Sequence, residues 1–283
     1  MNRFDIYSKR LIWSGAFLLT AFVAGCGGGG GGGGGPTAGI KAGPAYYDMG
    51  AAAPFGAGSG NGVHNQGTAT VVTGDLGTTA GHASITGFHD STGAPPYAET
   101  AANVGAVSGT IFTSVDPPGD FGNTGKNVAD ALNAAYTALS DTTLTTGTEP
   151  NATTPGMLGG VTLASGIYTS PTLQITGGDL TLDAKGNPNA FWVFQSNTLT
   201  VGDATPQSVT LANGALAKNV FWRIRDNATI NAAGGGTMAG TIITSSGLNI
   251  GGGAATTALN GRAFVFGPSA VNMVNTVITT PAP

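Results

Sequence analysis

The chain repeats itself. Asn189-Ala-Phe191-Trp192-Val-Phe194-Gln-Ser-Asn197-Thr-Leu-Thr aligns without a gap on Asn219-Val-Phe221-Trp222-Arg-Ile224-Arg-Asp-Asn227-Ala-Thr-Ile, thirty residues on. Two weaker copies follow, closed by Gly240 and Gly261, 21 residues apart, before the apolar runs Ile242-Ile243 and Phe264-Val265-Phe266. Self-similarity at a period near 20 marks a solenoid. Within each copy, short β-branched runs are cut by Gly, Asn and Pro, the residues that turn a backbone sharply. That is the pattern of a parallel β-helix, in which no coil buries its apolar face alone.

Alternation then assigns faces. Successive side chains of a strand point to opposite sides. With Leu199/Val201, Ala228/Ile230, Leu248/Ile250 and Val271/Met273 inward, Thr198, Thr200, Thr229, Asn231, Asn249 and Asn272 point outward on one wall. A second wall follows the glycine corners at Thr237, Thr256 and Thr257, and Thr68 and Thr70 are comparable in the N-terminal coil, as are Thr78 and Thr79. Lys126 to Ser140 reads as the one helix: Val128, Leu132, Ala135, Tyr136 and Leu139 make one apolar stripe of 3.6-residue period, and Asn127 is placed to cap its start. Tyr46, Tyr47 and Phe55 are expected to plug one end of the solenoid.

The N-terminus carries export signals. Arg3, Lys9 and Arg10 precede an apolar core from Leu11 to Ala24, too short for a span of about 20 residues. It ends Val23-Ala24-Gly25-Cys26, which resembles the bacterial lipobox, and Cys26 is the single cysteine, so no intramolecular disulfide forms. The segments expected are a lipoprotein signal peptide over residues 1–25, a lipidated Cys26 and glycine tether over 26–43, and a β-helix domain over 44–283. Nine consecutive glycines, Gly27 to Gly35, make the tether flexible. The localisation implied is an exported lipoprotein on the outer membrane or cell surface.

Composition excludes several function classes. Ten basic and 14 acidic residues give a net charge of −4, more acidic once Arg3, Lys9, Arg10 and Asp5 are removed, so a nucleic-acid footprint is absent. Asp75, Asp179, Asp183, Asp203 and Asp226 are scattered beside turn residues rather than clustered as a lyase or hydrolase requires. His64, His82 and His89 lack metal-ligand spacing. Arg223 and Arg225 lie two apart and are expected on a solvated edge. No enzyme, metal or cofactor is expected.

Four blocks, taken in order, resemble the microbial ice-binding proteins: Val72-Thr-Gly-Asp75-Leu-Gly77 with Ile85-Thr-Gly-Phe88; Ala134-Ala-Tyr136; Leu158-Gly-Gly160-Val-Thr-Leu163 with Gly166-Ile167-Tyr168; and Ala217-Lys218-Asn219-Val-Phe221-Trp222. The resemblance implies a mostly-β fold, a discontinuous right-handed parallel β-helix with one long α-helix alongside. It also implies that an N-terminal coil sits beside the last one, and that one flat β-face binds ice without catalysis. The Thr-Ala/Gly-x-Thr/Asn pattern of strongly active members is degraded here, to Ala233-Gly-Gly-Gly-Thr237 and Gly253-Ala-Ala-Thr256-Thr257.

The physics of such a face suits ice. Strands about 4.7–4.9 Å apart, with a same-face repeat of twice about 3.3 Å, present a regular grid. Thr, stiff at χ1, holds its methyl and hydroxyl in place on that grid. The expected partner is an ice surface met by a monomer, with the membrane touched only through the lipid. The alternative is a surface adhesin or carbohydrate-binding solenoid on the same scaffold.

Overall fold

The computed structural model describes residues 39–40, 47–92, 96–114, 124–140, 149–153 and 156–282. The expected signal peptide, Cys26, the glycine run and Tyr46 lie outside them. The β-helix belongs to the unit Gly35–Pro283.

Every strand pairing within the solenoid proper is parallel, as successive coils of a β-helix require. Each coil visits three faces in turn. Starting from the far end, Gly166–Thr169, Thr172–Ile175 and Leu180–Asp183 make one coil. Trp192–Ser196, Thr198–Val201 and Val209–Ala212 make the next. From Val220–Ile224 and Ala228–Ile230 onward the corner between the third and first faces tightens into single long strands, Thr237–Thr244 and Thr257–Val265. Gly240 and Gly261 face each other at that bend. A Cβ on Gly261 would stand 1.8 Å from the Gly240 carbonyl oxygen, so only glycine passes there.

The N-terminal coil does not stack at the start of this series. Phe55–Ser59 pairs with Thr257–Val265, Gly62–Asn65 with Ala270–Met273, and Thr70–Val72 with Thr276–Thr279. The first coil in sequence therefore follows the last, as the family resemblance implies. Arg262, buried, ties this junction: its Nε and Nη2 donate to the Ala53 carbonyl at 3.0 and 2.8 Å, and Nη2 also to that of Pro281 at 3.4 Å.

Inside the coils runs one apolar column per inward row. Tyr168, Phe194, Trp222, Ile242, Ala263, Ala57 and Leu76 are consecutive rungs. Phe194 stacks on Trp222 with centroids 3.9 Å apart and planes 8° apart. The sequence echo pairs Trp192 with Trp222. The observed register instead puts Trp192 beside Val220 and Phe194 beside Trp222. A slip of two residues keeps every side chain on its face, because the strand period is two. Ring stacking selects between registers that alternation alone leaves equivalent.

The helix spans Thr124–Ala138, so Asn127 lies inside it rather than at its cap. Its stripe is as expected: Val128, Leu132, Ala135, Tyr136 and Leu139 are buried, joined by Ala131. They pack on outward residues of the first face, among them Ile167, Val193, Phe221, Ile243 and Phe264. Tyr47 and Phe55 belong to this same layer. They fill the gap between helix and sheet, where large outward apolar side chains need cover, and do not plug an end.

Candidate functional site

With the first face under the helix, two faces are left bare by the described residues. The more regular is a seven-stranded sheet whose order runs from Thr172–Ile175 through Thr198–Val201, Ala228–Ile230, Leu248–Ile250, Ala270–Met273 and Gly62–Asn65 to Ile85–Thr86. Its strands are short because a turn residue closes each one, and each contributes one central outward side chain. In register these are Gln174, Thr200, Thr229, Asn249, Asn272, His64 and Thr86. Behind them Leu173, Leu199, Ala228, Leu248, Val271, Val63 and Ile85 are all buried. The row is polar and carries no fixed charge. Neighbouring rungs brace each other: Asn272 Nδ2 donates to Asn249 Oδ1 at 2.9 Å, and His64 Nδ1 lies 3.0 Å from Thr86 Oγ1.

Five of the expected wall residues thus come together. Thr200, Thr229, Asn249 and Asn272 stand on the central row, and Thr198 flanks it beside Thr172. Asn231 does not join them. It is fully buried, with φ 48°. Its Oδ1 accepts from the Gln207 N–H at 2.9 Å and its Nδ2 donates to the Gln207 carbonyl at 3.0 Å. The left-handed turn rotates its side chain inward, where the amide satisfies backbone groups that the corner leaves unpaired.

Asn231 has counterparts at the same corner of other coils. Asn275, also at positive φ (46°), accepts from the N–H groups of Thr68 and Ala69 and donates to the Gly253 carbonyl at 2.9 Å. Asn65 donates to the carbonyls of Gly67 and Gly87. These asparagines set the edge of the seven-stranded face. Their signal in sequence is an Asn one or two residues past an inward apolar pair, just before a turn.

The second expected wall is split. Thr237 and Thr256 are exposed, Thr237 on the third face and Thr256 at its corner, and Thr68 is exposed in the adjoining loop. Thr257 and Thr70 are corrected: both are buried, at 0% and 2% exposure. Thr70 Oγ1 donates to Asn65 Oδ1 at 2.7 Å, so it serves the corner network. Thr257 pairs with the equally buried Thr276. Thr78 is buried as well, and Thr79 exposed.

The third face differs in chemistry. It carries exposed Val71 and the outward carboxylate of Asp183. The Lys185 backbone N–H, and then Asn213, donate to that carboxylate and hold it below the usual carboxylate range.

Of the acidic residues read as turn formers, Asp183 fills that role, accepting from the Lys185 N–H two residues on, whereas Asp75 and Asp179 accept from backbone N–H groups of another coil, those of Thr110 and Ser208. Among the described residues, no three His, Cys, Asp or Glu converge as metal ligands, and no helix is long and apolar enough to cross a membrane. Arg223 lies on the helix-covered face, not on an open edge, its guanidinium 4.0 Å above the Tyr136 ring. Arg225 stays exposed and pairs with Asp226 at 2.9 Å.

Comparison with known proteins agrees with this geometry. An ice-binding protein of Nostoc sp. (strain HG1) is 38% identical over 210 residues, 71% of this chain and 65% of that protein. One from Flavobacterium frigoris (strain PS1) is 30% identical over 184 residues, 62% of this chain and 60% of that protein. The chain therefore spans under two thirds of either relative's length. Among solved structures, an ice-binding protein from an Antarctic biological consortium superposes with a TM-score of 0.64 at 30% identity, covering 83% of this chain and 91% of that one. The ice-binding protein 1 domain of Shewanella frigidimarina gives 0.71 at 23% identity over 83% and 98%, a likeness of fold. The family model described as Ice-binding-like matches residues 57–279, from the first N-terminal strand to the last strand of the solenoid, and the chain belongs to that family.

Proposed function

We propose that this protein adsorbs to ice through the seven-stranded face and thereby restrains ice growth and recrystallisation. The observation that carries the reading is the central row of Gln174, Thr200, Thr229, Asn249, Asn272, His64 and Thr86 on a ladder of unbroken register. Side chains on such a row recur at the strand spacing of about 4.8 Å. β-Branched Thr and the braced Asn pair keep their positions at little further entropic cost. No fixed charge holds a hydration shell that ice would have to displace. The third face, with Asp183 and Val71, is the poorer candidate. The names of the similar proteins support the reading. It needs no catalytic group.

The same proposal places the domain at the cell surface. Cys26, lipidated after removal of residues 1–25, anchors it, and the nine glycines give it reach. Intact mass of protein extracted from membranes tests this: a mature terminus elsewhere, or an unmodified Cys26, overturns it.

The test of ice adsorption is a single crystal grown in purified protein, with recrystallisation measured beside it. Affinity spread over many weak contacts makes one hydroxyl dispensable and added bulk harmful. Thr229→Ala is expected to keep most activity, and Thr229→Tyr to lose most of it while remaining folded by circular dichroism. If Thr229→Tyr is silent while Thr237→Tyr, Thr256→Tyr or Thr68→Tyr is not, the third face binds instead. A wild type that neither facets ice nor slows recrystallisation overturns the reading in favour of an adhesin.

A further inference from the structure

Among the described residues, the central row of the seven-stranded face holds one titratable group, His64. Its place is in the interior of the row, between Asn272 on one side and Thr86 on the other. The ring is fixed in two ways. Nδ1 lies 3.0 Å from Thr86 Oγ1. The opposite edge folds back over Gly62, where a Cβ would stand 3.2 Å from Cε1 and Nε2. The imidazole therefore stays on the row whichever proton it carries. The Thr86 hydroxyl both donates and accepts. It meets a neutral Nδ1 or a protonated one equally well, so gaining a proton changes the charge of the row without disturbing its geometry.

The surroundings offer that charge no partner on the row. Asn272 and Thr86, from the paired strands, are neutral. Of the other elements packed on Gly62–Asn65, the turn His82–Ser84 brings His82, whose ring stacks on Tyr97 at 4.2 Å. The strand Asp75–Thr78 brings Asp75, whose carboxylate takes the Thr110 N–H. Phe55–Ser59 and Ala270–Met273 bring no ionisable side chain.

Resting on the reading that this face adsorbs to ice, we propose that His64 makes adsorption pH-sensitive: neutral, it is one more uncharged rung; protonated, it plants a cation in the row and weakens the hold on ice. The ice lattice excludes ions, and a cation pressed against it must shed strongly bound water without gaining a counter-charge. The proton comes from and returns to solvent, and no bond other than N–H is made or broken. Burial favours the neutral ring, pushing His64 below its ordinary imidazole value, so the sensitive range lies below neutral pH.

Recrystallisation inhibition and thermal hysteresis, measured at about pH 8 and about pH 4, the lower point set well below the ordinary imidazole value of about 6.5 because burial pushes His64 down, test this. Wild type is expected to lose activity severalfold at the lower pH. His64→Gln should be flat, and His64→Lys should sit at the low level at both pH values. His82→Asn should titrate like wild type, with folding checked by circular dichroism at each pH. A pH-independent wild type, or a His64→Gln that falls as wild type does, overturns the role of His64 and leaves ice adsorption standing. A wild type inactive at both values overturns the adsorption reading itself, and this inference with it.

Discussion

At the scale of single residues, exposure on this scaffold separates side chains open to a partner from side chains that hold the scaffold. Thr229 and Asn231 are two apart and look equivalent in a strand pattern, yet Asn231 closes a buried corner. Asn231→Ala is expected to cost about 2–4 kcal/mol in chemical denaturation, since it leaves the Gln207 N–H and carbonyl unpaired and puts alanine at positive φ. Asn231→Gly, which relieves only the backbone cost, should lose less. His64 should also appear in stability. Because burial lowers its native value, the unfolded chain takes the proton first as pH falls. Its contribution is therefore complete above about pH 6.5 and is lost as pH drops from there through the lower native value. The melting temperature of wild type should decline over that window more than that of His64→Gln. Alternation made the outward Thr and Asn of the strands readable. The inward turn of Asn231, Thr70 and Thr257 was not, because a corner breaks the period of two.

At the scale of elements, the helix was legible because five turn-spaced apolar residues had to be covered, and what covers them is the outer side of the first face. Leu132→Ala is expected to cost about 2–5 kcal/mol by the usual penalty for a buried leucine, measured by thermal or urea unfolding. The glycines divide into those that need space and those that need only conformation. Gly261→Ala should cost about 3 kcal/mol or more, since its Cβ would meet the Gly240 carbonyl at 1.8 Å. Gly186, at φ 81° with nothing within 4 Å, should pay only the left-handed penalty of about 1–2 kcal/mol on mutation to alanine. Register was less legible than type. Thr200 pairs with Thr229, 29 residues on, but Phe194 pairs with Trp222, 28 on, because the corner Arg225-Asp226-Asn227 holds an extra residue. A sequence echo at thirty cannot resolve such offsets.

For the whole molecule, the junction between the first and last coils is the distinctive feature. The strand Thr276–Thr279 lies between Thr257–Val265 and Thr70–Val72, and the Pro281 carbonyl accepts from Arg262. Deleting residues 276–283 should therefore release the N-terminal coil as well as the tail. A cooperative melt by circular dichroism would give way to a broad or multiphasic one; an unchanged melt would show that the junction does not hold the N-terminal coil.

By itself the sequence determined the coil period, the inward apolar and outward Thr/Asn alternation, and the near absence of charge. These depend on side-chain chemistry and on spacings of two or about twenty residues, which any parallel β-helix must respect. Which face stays bare was decided by where the helix packs. Which residues complete the row was decided by Gly62–Asn65 pairing with Ala270–Met273, more than two hundred residues along the chain. That pairing brings His64 and Thr86 onto a wall otherwise built from residues 174–272. No local pattern encodes it, because an edge strand of a parallel sheet offers the same backbone groups to any strand of matching length, and only packing of the assembled coils selects the partner.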